Sequence, residues 1–186
     1  MSALTVYLDN EPQYGELYTD YTAIQSQLKN IGVRFERWTA HCELSPDADQ
    51  ESILAAYADS IDSLKRQYGL QSADVINLNP DHPEKAAFRQ KFLAEHSHDD
   101  FEVRFFVEGS GLFYLHVDDN VYAVLCEQGD LISVPAKTTH WFDMGENPGF
   151  TCIRLFTTPD GWVADFTSSE IAKIFPTFDQ YVAELP

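Results

Sequence analysis

The second half of the chain contains short apolar segments that recur about every ten residues, with Gly, Asp and Asn between them. Segments with this spacing are typical of β-strands joined by tight turns, and Asp118-Asp119-Asn120 is one such hairpin signal. The predicted strands cover 102–108, 112–118, 121–126, 130–134, 139–144 and 150–157. This half of the chain is therefore predicted to form a β-sandwich or β-barrel.

The first half has a different texture, because its apolar residues recur at helical spacing. Helices are predicted between Tyr21 and Ile31, from Ser52 to Gly69 and from Glu84 to about Ala94, with strands at 3–8 and 33–38. After the barrel strands, the pattern predicts a strand at 162–166 and short helices at 168–175 and 178–185. We expect one domain over 1–186, divided into an N-terminal elaboration (1–91), a barrel core (92–158) and a C-terminal extension (159–186).

Acidic residues outnumber basic ones, with 30 Asp and Glu against 12 Lys and Arg and a formal net charge of −18. A surface of this charge repels phosphate backbones and anionic lipid head groups, so we expect neither a nucleic-acid nor a membrane partner. The sequence shows no secretory signal and no membrane-spanning apolar run. Its three widely spaced cysteines favour reduced thiols. We expect a cytoplasmic, monomeric protein that acts on a small molecule.

Two histidines, a glutamate and an arginine alternate with apolar residues at the start of the barrel core. On an extended strand, His96, His98, Glu102 and Arg104 would all point to one face, and Val103, Phe105 and Val107 to the other. Burying such a polar face is costly unless the groups are paired or bound to a cation. Imidazole and carboxylate ligands suit Fe, Ni, Mn, Co or Zn better than Ca or Mg. The stretch therefore predicts a transition-metal site.

A fourth ligand is best sought at His140, which begins a later strand after Pro135 and a turn. The remaining histidines lack partners at ligand spacing, so we expect them to be surface or hydrogen-bonded residues; they are His41, His82 and His116. Four protein ligands on a six-coordinate metal leave two positions for a chelating substrate. Dioxygen would then attack the substrate directly, with the metal acting as Lewis acid and template.

Arg104 has two interpretations. It could form an ordinary salt bridge in this acidic chain, or its planar pair of donors could hold an anionic substrate oxygen, which its shared strand parity with the ligands favours. The neighbouring Asp99 and Asp100 are expected to form a solvated turn rather than to act as acid or base. Phe92, Phe142 and Trp162 could form apolar walls of a substrate pocket or belong to the core.

The two motifs of the barrel, H-x-H-x3-E and G-x5-P-x4-H, resemble those of the cupin superfamily. His96, His98, Glu102 and Gly109 match the first motif, and Gly129, Pro135 and His140 match the second. The departures from the cupin pattern, at Gln90, Lys137 and Met144, affect turns and not ligands. The resemblance implies a mainly β fold, a cupin double-stranded β-helix or jelly-roll barrel, with N-terminal helices and short C-terminal helices.

A closer resemblance, covering essentially the whole chain, is to the acireductone dioxygenase family. The residues that carry it are Glu95, His96, His98, Glu102 and Arg104, then Val134-Pro135-Ala136 and His140-Trp141-Phe142-Asp143. The resemblance implies one Fe(II) or Ni(II) per chain, bound by His96, His98, Glu102 and His140. It further implies that Arg104 promotes the substrate dianion, that Glu95 assists metal incorporation and that Phe101 relays conformational change.

The resemblance also implies the reaction. The substrates would be dioxygen and an acireductone of methionine salvage, 1,2-dihydroxy-5-(methylthio)pent-1-en-3-one. The Fe(II) form would give 4-methylthio-2-oxobutanoate and formate, and the Ni(II) form 3-(methylthio)propanoate, formate and carbon monoxide. Two alternatives stay open from the residues alone: another metal-dependent cupin enzyme, such as an isomerase or a different dioxygenase, and a metal-stabilised binding module without turnover.

Overall fold

Eleven strands and five α-helices occur in the residues that the computed structural model describes, which are 1–40, 42–45 and 48–186. The strands are β1 (Ala3–Leu8), β2 (Gly15–Tyr18), β3 (Arg34–Arg37), β4 (Ser72–Leu78), β5 (His96–Ser97), β6 (Glu102–Val117), β7 (Asn120–Glu127), β8 (Asp130–Val134), β9 (Thr139–Asp143), β10 (Phe150–Phe156) and β11 (Asp165–Phe166). The helices are α1 (Tyr21–Asn30), α2 (Gln50–Ala56), α3 (Ala58–Tyr68), α4 (Lys85–Leu93) and α5 (Phe178–Glu184), with a 3₁₀ turn at Ile171–Lys173.

The strands form two antiparallel sheets that share β6. In one sheet the strand order is β11-β5-β9-β6-β7-β1-β2, and in the other it is β4-β10-β6-β8-β3. The first half of β6 pairs with β8 and β10, and the second half pairs with β7 and β9. The predicted mainly β cupin fold is confirmed, and four strands from the first half of the chain, β1 to β4, extend its sheets.

The long strand β6 was predicted as two strands, 102–108 and 112–118, and this is wrong. The chain stays extended through the intervening residues because it changes partners there: Gly109 still pairs with β10, and Ser110 already pairs with β7. Gly109 has a φ of 70°, and a Cβ at this position would lie 1.9 Å from the carbonyl oxygen of Gly149. The glycine therefore bends one strand between two sheets instead of ending it.

Side chains alternate along β6 between two core clusters. Val103, Phe105 and Val107 pack in the cluster that contains the buried residues of α2 and α3, on the face opposite Glu102 and Arg104 as predicted. The second cluster, on the face of β6 that carries Phe106, lies between the sheets and is rich in phenylalanine. It contains Phe106, Phe113, Phe142 and Phe150. The polar face of β6 therefore opens toward the aromatic interior of the barrel.

The predicted helix from Ser52 to Gly69 is two helices, α2 and α3, separated at Tyr57. The Tyr57 ring is 1% exposed and packs edge-on against Phe105 at 5.7 Å between ring centroids, while its hydroxyl lies 3.3 Å from the amide nitrogen of Cys42. Tertiary packing of this side chain accompanies the break. The helices α1, α4 and α5 occur close to their predicted bounds, and α5 begins with a capping box between Thr177 and Gln180.

Two strands were not predicted, β2 and β4. β4 carries Asp74 and Asn77 among its apolar residues, so its pattern is not a clean alternation, and its partner β10 lies far along the chain. The predicted strand at 162–166 is only the two residues of β11, and the predicted helix at 168–175 is only a 3₁₀ turn. His41 lies outside the described residues. No helix in the described ranges combines the length and apolar character that crossing a bilayer requires.

Candidate metal centre

Three buried histidines meet where β5 and β9 pair. His96 and His140 are direct partners in the antiparallel register, and their ring centroids lie 4.5 Å apart. The His98 ring lies 5.0 Å from that of His96 and 5.2 Å from that of His140. One ring nitrogen of each histidine lies within 4.8 Å of the others, a grouping that could hold a metal ion.

A backbone carbonyl orients each imidazole. The Nδ1 atoms of His96, His98 and His140 lie 2.7, 2.9 and 2.8 Å from the carbonyl oxygens of Ala94, Val163 and Thr138, respectively. A carbonyl oxygen only accepts, so Nδ1 donates in every case and Nε2 keeps its lone pair. Each histidine is thereby held in the tautomer that a metal needs, with the second ring nitrogen hydrogen-bonded as is usual around metal sites.

Glu102 adds a carboxylate to the three imidazoles. Its Oε2 atom lies 3.4 Å from Nε2 of His98 and 3.7 Å from Nε2 of His140. Burial would raise the pKa of Glu102, but the charge of Arg104 and the proximity of the His98 and His140 imidazoles outweigh it and hold the pKa well below its ordinary value. The group is an ionised carboxylate.

Two of these candidate ligand atoms lack a hydrogen-bond partner. Within the described ranges, the buried side-chain atoms without one are Oε2 of Glu102, Nε2 of His140 and Nη1 of Arg104. Leaving buried polar atoms unpaired is costly, and here two of the three are an anionic oxygen and an imidazole lone pair directed to the same space. A divalent cation would satisfy both, so the residues present fit a transition metal.

The pKa values of the histidines differ with their surroundings. Burial lowers the pKa of His140 to about 3 and also lowers that of His96, so both rings are neutral at pH 7. Burial acts in the same direction on His98, but the adjacent negative charge of Glu102 outweighs it and raises the pKa of His98. Ligation requires the neutral ring in each case.

The candidate ligands do not share one strand, contrary to the prediction from their parity. β5 ends at Ser97, and the chain bends before β6 begins at Glu102. Asp100 holds this bend because its carboxylate accepts hydrogen bonds from the Thr157 hydroxyl and from the amides of Phe101 and Thr158. It is 8% exposed, so the expectation of a solvated turn is wrong for Asp100, although Asp99 is exposed and pairs with Lys137.

Arg104 forms the salt bridge that was one of its two interpretations. Its Nε donates to Oε1 of Glu102 at 2.6 Å, and its guanidinium lies over the rings of Phe113 and Phe142, 4.8 and 5.0 Å from their centroids. It therefore forms a salt bridge, but with a candidate metal ligand, and its unpartnered Nη1 leaves one buried donor for a further group.

A cavity of about 350 Å³ opens onto two of the three histidines, and its volume is within the size range of small-molecule sites. Among its walls are His96, His98 and Arg104, together with two of the three predicted pocket residues, Phe92 and Trp162. Trp162 is 47% exposed and lies toward solvent. Phe142 lies beneath Arg104 in the core, where its ring contacts that of Phe92 at 6.0 Å between centroids.

The two residues with implied supporting roles lie beside the site rather than in it. The buried carboxylate of Glu95 accepts hydrogen bonds from the Thr167 hydroxyl at 2.7 Å and from Nδ1 of His116 at 2.9 Å. His116 is thus a hydrogen-bonded residue, as predicted. Phe101 stacks on Tyr68 of α3, with 5.9 Å between ring centroids. Each residue joins the ligand segment to another part of the fold.

Sequence reasoning missed two groups at this site. The carbonyl of Val163 orients His98 from the C-terminal extension, and nothing in the local sequence marks it. Arg154 lines the same cavity as Arg104. The sequence does carry a signal for Arg154, because it is the single basic side chain on the predicted strand 150–157.

A cupin barrel in which three buried histidines and a carboxylate meet beside a cavity defines a cupin metalloprotein. Residues 4–164 match the ARD/ARD' family. The chain is 57% identical over 182 residues to the acireductone dioxygenase of Methylococcus capsulatus, with 98% of each chain covered. It is 54% identical over 185 residues to that of Aquifex aeolicus, with 98% of this chain and 99% of the relative covered.

A solved structure agrees with these relatives. Acireductone dioxygenase from Bacillus anthracis, with a cadmium ion in its active center, is 28% identical and superposes with a TM-score of 0.79, covering 89% of this chain and 98% of the other. The chain belongs to the ARD/ARD' family, and it is a metal-dependent dioxygenase.

Proposed function

We propose that the chain cleaves 1,2-dihydroxy-5-(methylthio)pent-1-en-3-one with dioxygen in methionine salvage. The relatives at 54–57% identity are acireductone dioxygenases, and the family resemblance supplies this substrate. The observation that carries the proposal is the pair of unpartnered buried ligand atoms, Oε2 of Glu102 and Nε2 of His140, beside a cavity of small-molecule size. The cavity walls carry both polar and apolar side chains, which match the oxygen atoms and the methylthio chain of this substrate.

One Fe(II) or Ni(II) is held by His96, His98, Glu102 and His140. When bound, the metal supplies a Lewis acid and a template for a chelating substrate. The carbonyls of Ala94, Val163 and Thr138 keep the three imidazoles in the ligating tautomer. Nη1 of Arg104 donates to an anionic oxygen of the substrate and favours its doubly deprotonated form. Phe92 and Trp162 exclude water from the methylthio end.

The product set is proposed to follow the metal. Fe(II) protein would give 4-methylthio-2-oxobutanoate and formate, and Ni(II) protein 3-(methylthio)propanoate, formate and carbon monoxide. The decisive experiment measures oxygen consumption on the acireductone by protein reconstituted separately with each metal, with carbon monoxide measured in the headspace. Consumption with either metal, and carbon monoxide only with Ni(II), is the expected result. Binding of the acireductone without oxygen uptake would instead support a non-catalytic binding module.

Substitutions distinguish the role of the proposed metal ligands from that of Arg104. His96→Ala and His140→Ala should lose bound metal and oxygen consumption together, because each removes an imidazole from the set. Arg104→Ala should keep metal content near normal and slow turnover, because Oε2 of Glu102 stays in place. Metal content is measured by elemental analysis after dialysis. Full activity of either histidine variant would overturn the ligand assignment, and loss of metal from Arg104→Ala would make that arginine structural.

We also propose that residues 1–186 form one domain, that the enzyme is a monomer and that it works in the cytoplasm. The pairing of β1, β3 and β4 with strands of the barrel supports a single domain. The three cysteines, all within the described residues, are free thiols, which suits a reducing compartment. Light scattering coupled to size-exclusion chromatography tests the monomer against a mass of 21.1 kDa.

A further inference from the structure

Arg154 stands in the same row of the sheet as Arg104. It lies on β10, where the antiparallel register places it directly opposite Arg104 of β6 on one side and opposite Asp74 of β4 on the other. Three adjacent strands therefore bring an aspartate and two arginines into one line across the sheet. Of the two arginines, Arg104 belongs to the ligand segment and Arg154 does not.

Asp74 fixes the orientation of the Arg154 guanidinium. Its two carboxylate oxygens accept from Nε at 2.9 Å and from Nη2 at 2.7 Å, a bidentate arrangement, and the Arg154 side chain is 16% exposed. The guanidinium carbon lies 5.5 Å from the ring centroid of Phe156, which itself lies edge-on to His98. These two bonds leave the Nη1 amino group for another acceptor.

The cavity that Arg154 lines is the one whose walls include His96 and His98. Arg104 and Arg154 both line it, and Lys91 lies on its wall, in a chain whose net charge is −18. Two guanidinium groups placed side by side repel each other, and each has its own carboxylate partner, Glu102 or Asp74. Concentrating scarce positive charge around one cavity favours an anionic ligand.

A second cross-strand arginine–aspartate pair occurs elsewhere in the chain. Arg37 of β3 is the register partner of Asp130 of β8, and its Nε and Nη2 lie 3.2 and 3.0 Å from Oδ1 of that aspartate. This pair does not line the metal-centre cavity. Arg37 also donates to the Ser2 hydroxyl, and it offers a control for the structural effect of losing a cross-strand arginine–aspartate pair away from the cavity.

We propose that Arg154, oriented by Asp74, is a second anion-binding residue of the metal-centre cavity. It donates to an anionic oxygen of the substrate and, after cleavage, to the carboxylate of the 2-oxo acid. Asp74 is a positioning residue, because it acts through Arg154. The identity of the substrate rests on the proposed function, whereas the preference for a carboxylate at this position does not.

The kinetic test uses the metal-reconstituted enzyme. Arg154→Gln should raise KM for the acireductone about 10- to 100-fold, the size expected for loss of a charge-assisted hydrogen bond, with a smaller change in kcat. Arg154→Lys should recover part of the loss, because it keeps the charge but not the planar fork. Asp74→Asn should raise KM less than Arg154→Gln. The control Arg37→Gln should lower the unfolding temperature and leave KM unchanged.

A binding measurement tests the role of Arg154 without turnover. Under anaerobic conditions, the metal-loaded protein is titrated with 4-methylthio-2-oxobutanoate and with the matched neutral ketone 4-methylthio-2-butanone. Arg154→Gln should weaken binding of the carboxylate about 10-fold or more and leave the ketone unaffected. Arg37→Gln should change neither affinity.

The outcomes distinguish this inference from the proposed function. If wild-type protein consumes oxygen with the acireductone and folded Arg154→Gln has the same KM and the same carboxylate affinity, the role of Arg154 is overturned and the enzyme activity stands. If wild-type protein consumes no oxygen but binds the carboxylate in an Arg154-dependent way, the proposed function fails and the anion site stands. Equal effects of Arg154→Gln and Arg37→Gln would make Arg154 a structural ion-pair residue.

Discussion

Each candidate histidine ligand depends on one backbone carbonyl. The three acceptors are the carbonyls of Ala94, Thr138 and Val163, and the bond to Nδ1 determines which nitrogen is left to face a metal. Two acceptors lie two residues before their histidine, but the third, Val163, comes from a distant segment. The metal centre therefore depends on backbone carbonyls as well as on the side chains that could bind the metal.

Acidification should release the metal through His98. Because Glu102 raises the pKa of His98 above its ordinary value, the ring takes up a proton at a higher pH than His96 or His140 would, and a protonated imidazole cannot bind metal. Metal affinity should be constant above the pKa of His98 and fall as pH drops through it. Chelator competition at pH values from about 8 to 5 measures this.

The control for this pH dependence is His82→Gln, which removes a histidine outside the candidate ligand set and should leave the profile unchanged. Retention of full metal affinity at the acid end of the range would contradict the assignment of His98 as a ligand.

At the scale of elements, β6 determines how the site is assembled. Its first half carries Glu102 and Arg104 and pairs with β10, which brings Arg154 alongside; its second half pairs with β9, which brings His140. One bent strand thus holds both halves of the cavity in register. Two separate strands joined by a turn would leave that register free to change.

The bend at Gly109 should tolerate no side chain. Gly109→Ala places a Cβ 1.9 Å from the Gly149 carbonyl oxygen at a φ of 70°, so we expect the free energy of unfolding to fall by about 2 kcal/mol or more. Gly69→Ala is the matched control, because Gly69 has a φ of 69° and nothing within 4 Å of an added Cβ. It should cost only the left-handed backbone strain, about 1 kcal/mol. Urea denaturation measures both; equal losses would show that the close approach at Gly109 relaxes without cost.

At the scale of the whole molecule, an acidic chain contains a cavity lined by basic side chains. The net charge of −18 extends over the surface, whereas Arg104 is buried and Arg154 is mostly buried. The long-range field opposes the approach of an anionic substrate, and the local charges favour it only at short range. Salt weakens the first interaction more than the second, because exposed charges are screened and buried ones much less so.

Raising the salt concentration should therefore speed substrate capture. Between about 10 and 200 mM NaCl we expect kcat/KM for the acireductone to rise about 2- to 5-fold as the repulsion is screened. The KM for dioxygen, an uncharged molecule, is the internal control and should not change. A steady fall of kcat/KM with salt would mean that the cationic cavity already dominates the field at the distance of encounter.

Sequence patterns by themselves predicted the β-barrel, the helices α1, α4 and α5, and the grouping of His96, His98, Glu102 and His140, because strand and helix periods and ligand spacing are local properties. The tertiary structure decided the rest. It merged 102–108 and 112–118 into β6, split the second helix at Tyr57, and brought the Val163 carbonyl to His98 and Asp74 to Arg154. Asp74 and Arg154 are 80 residues apart, and only the register of β4 on β10 makes them neighbours. Local residue types determine what a segment can form and bind, but strand pairing across the chain determines which groups complete the site.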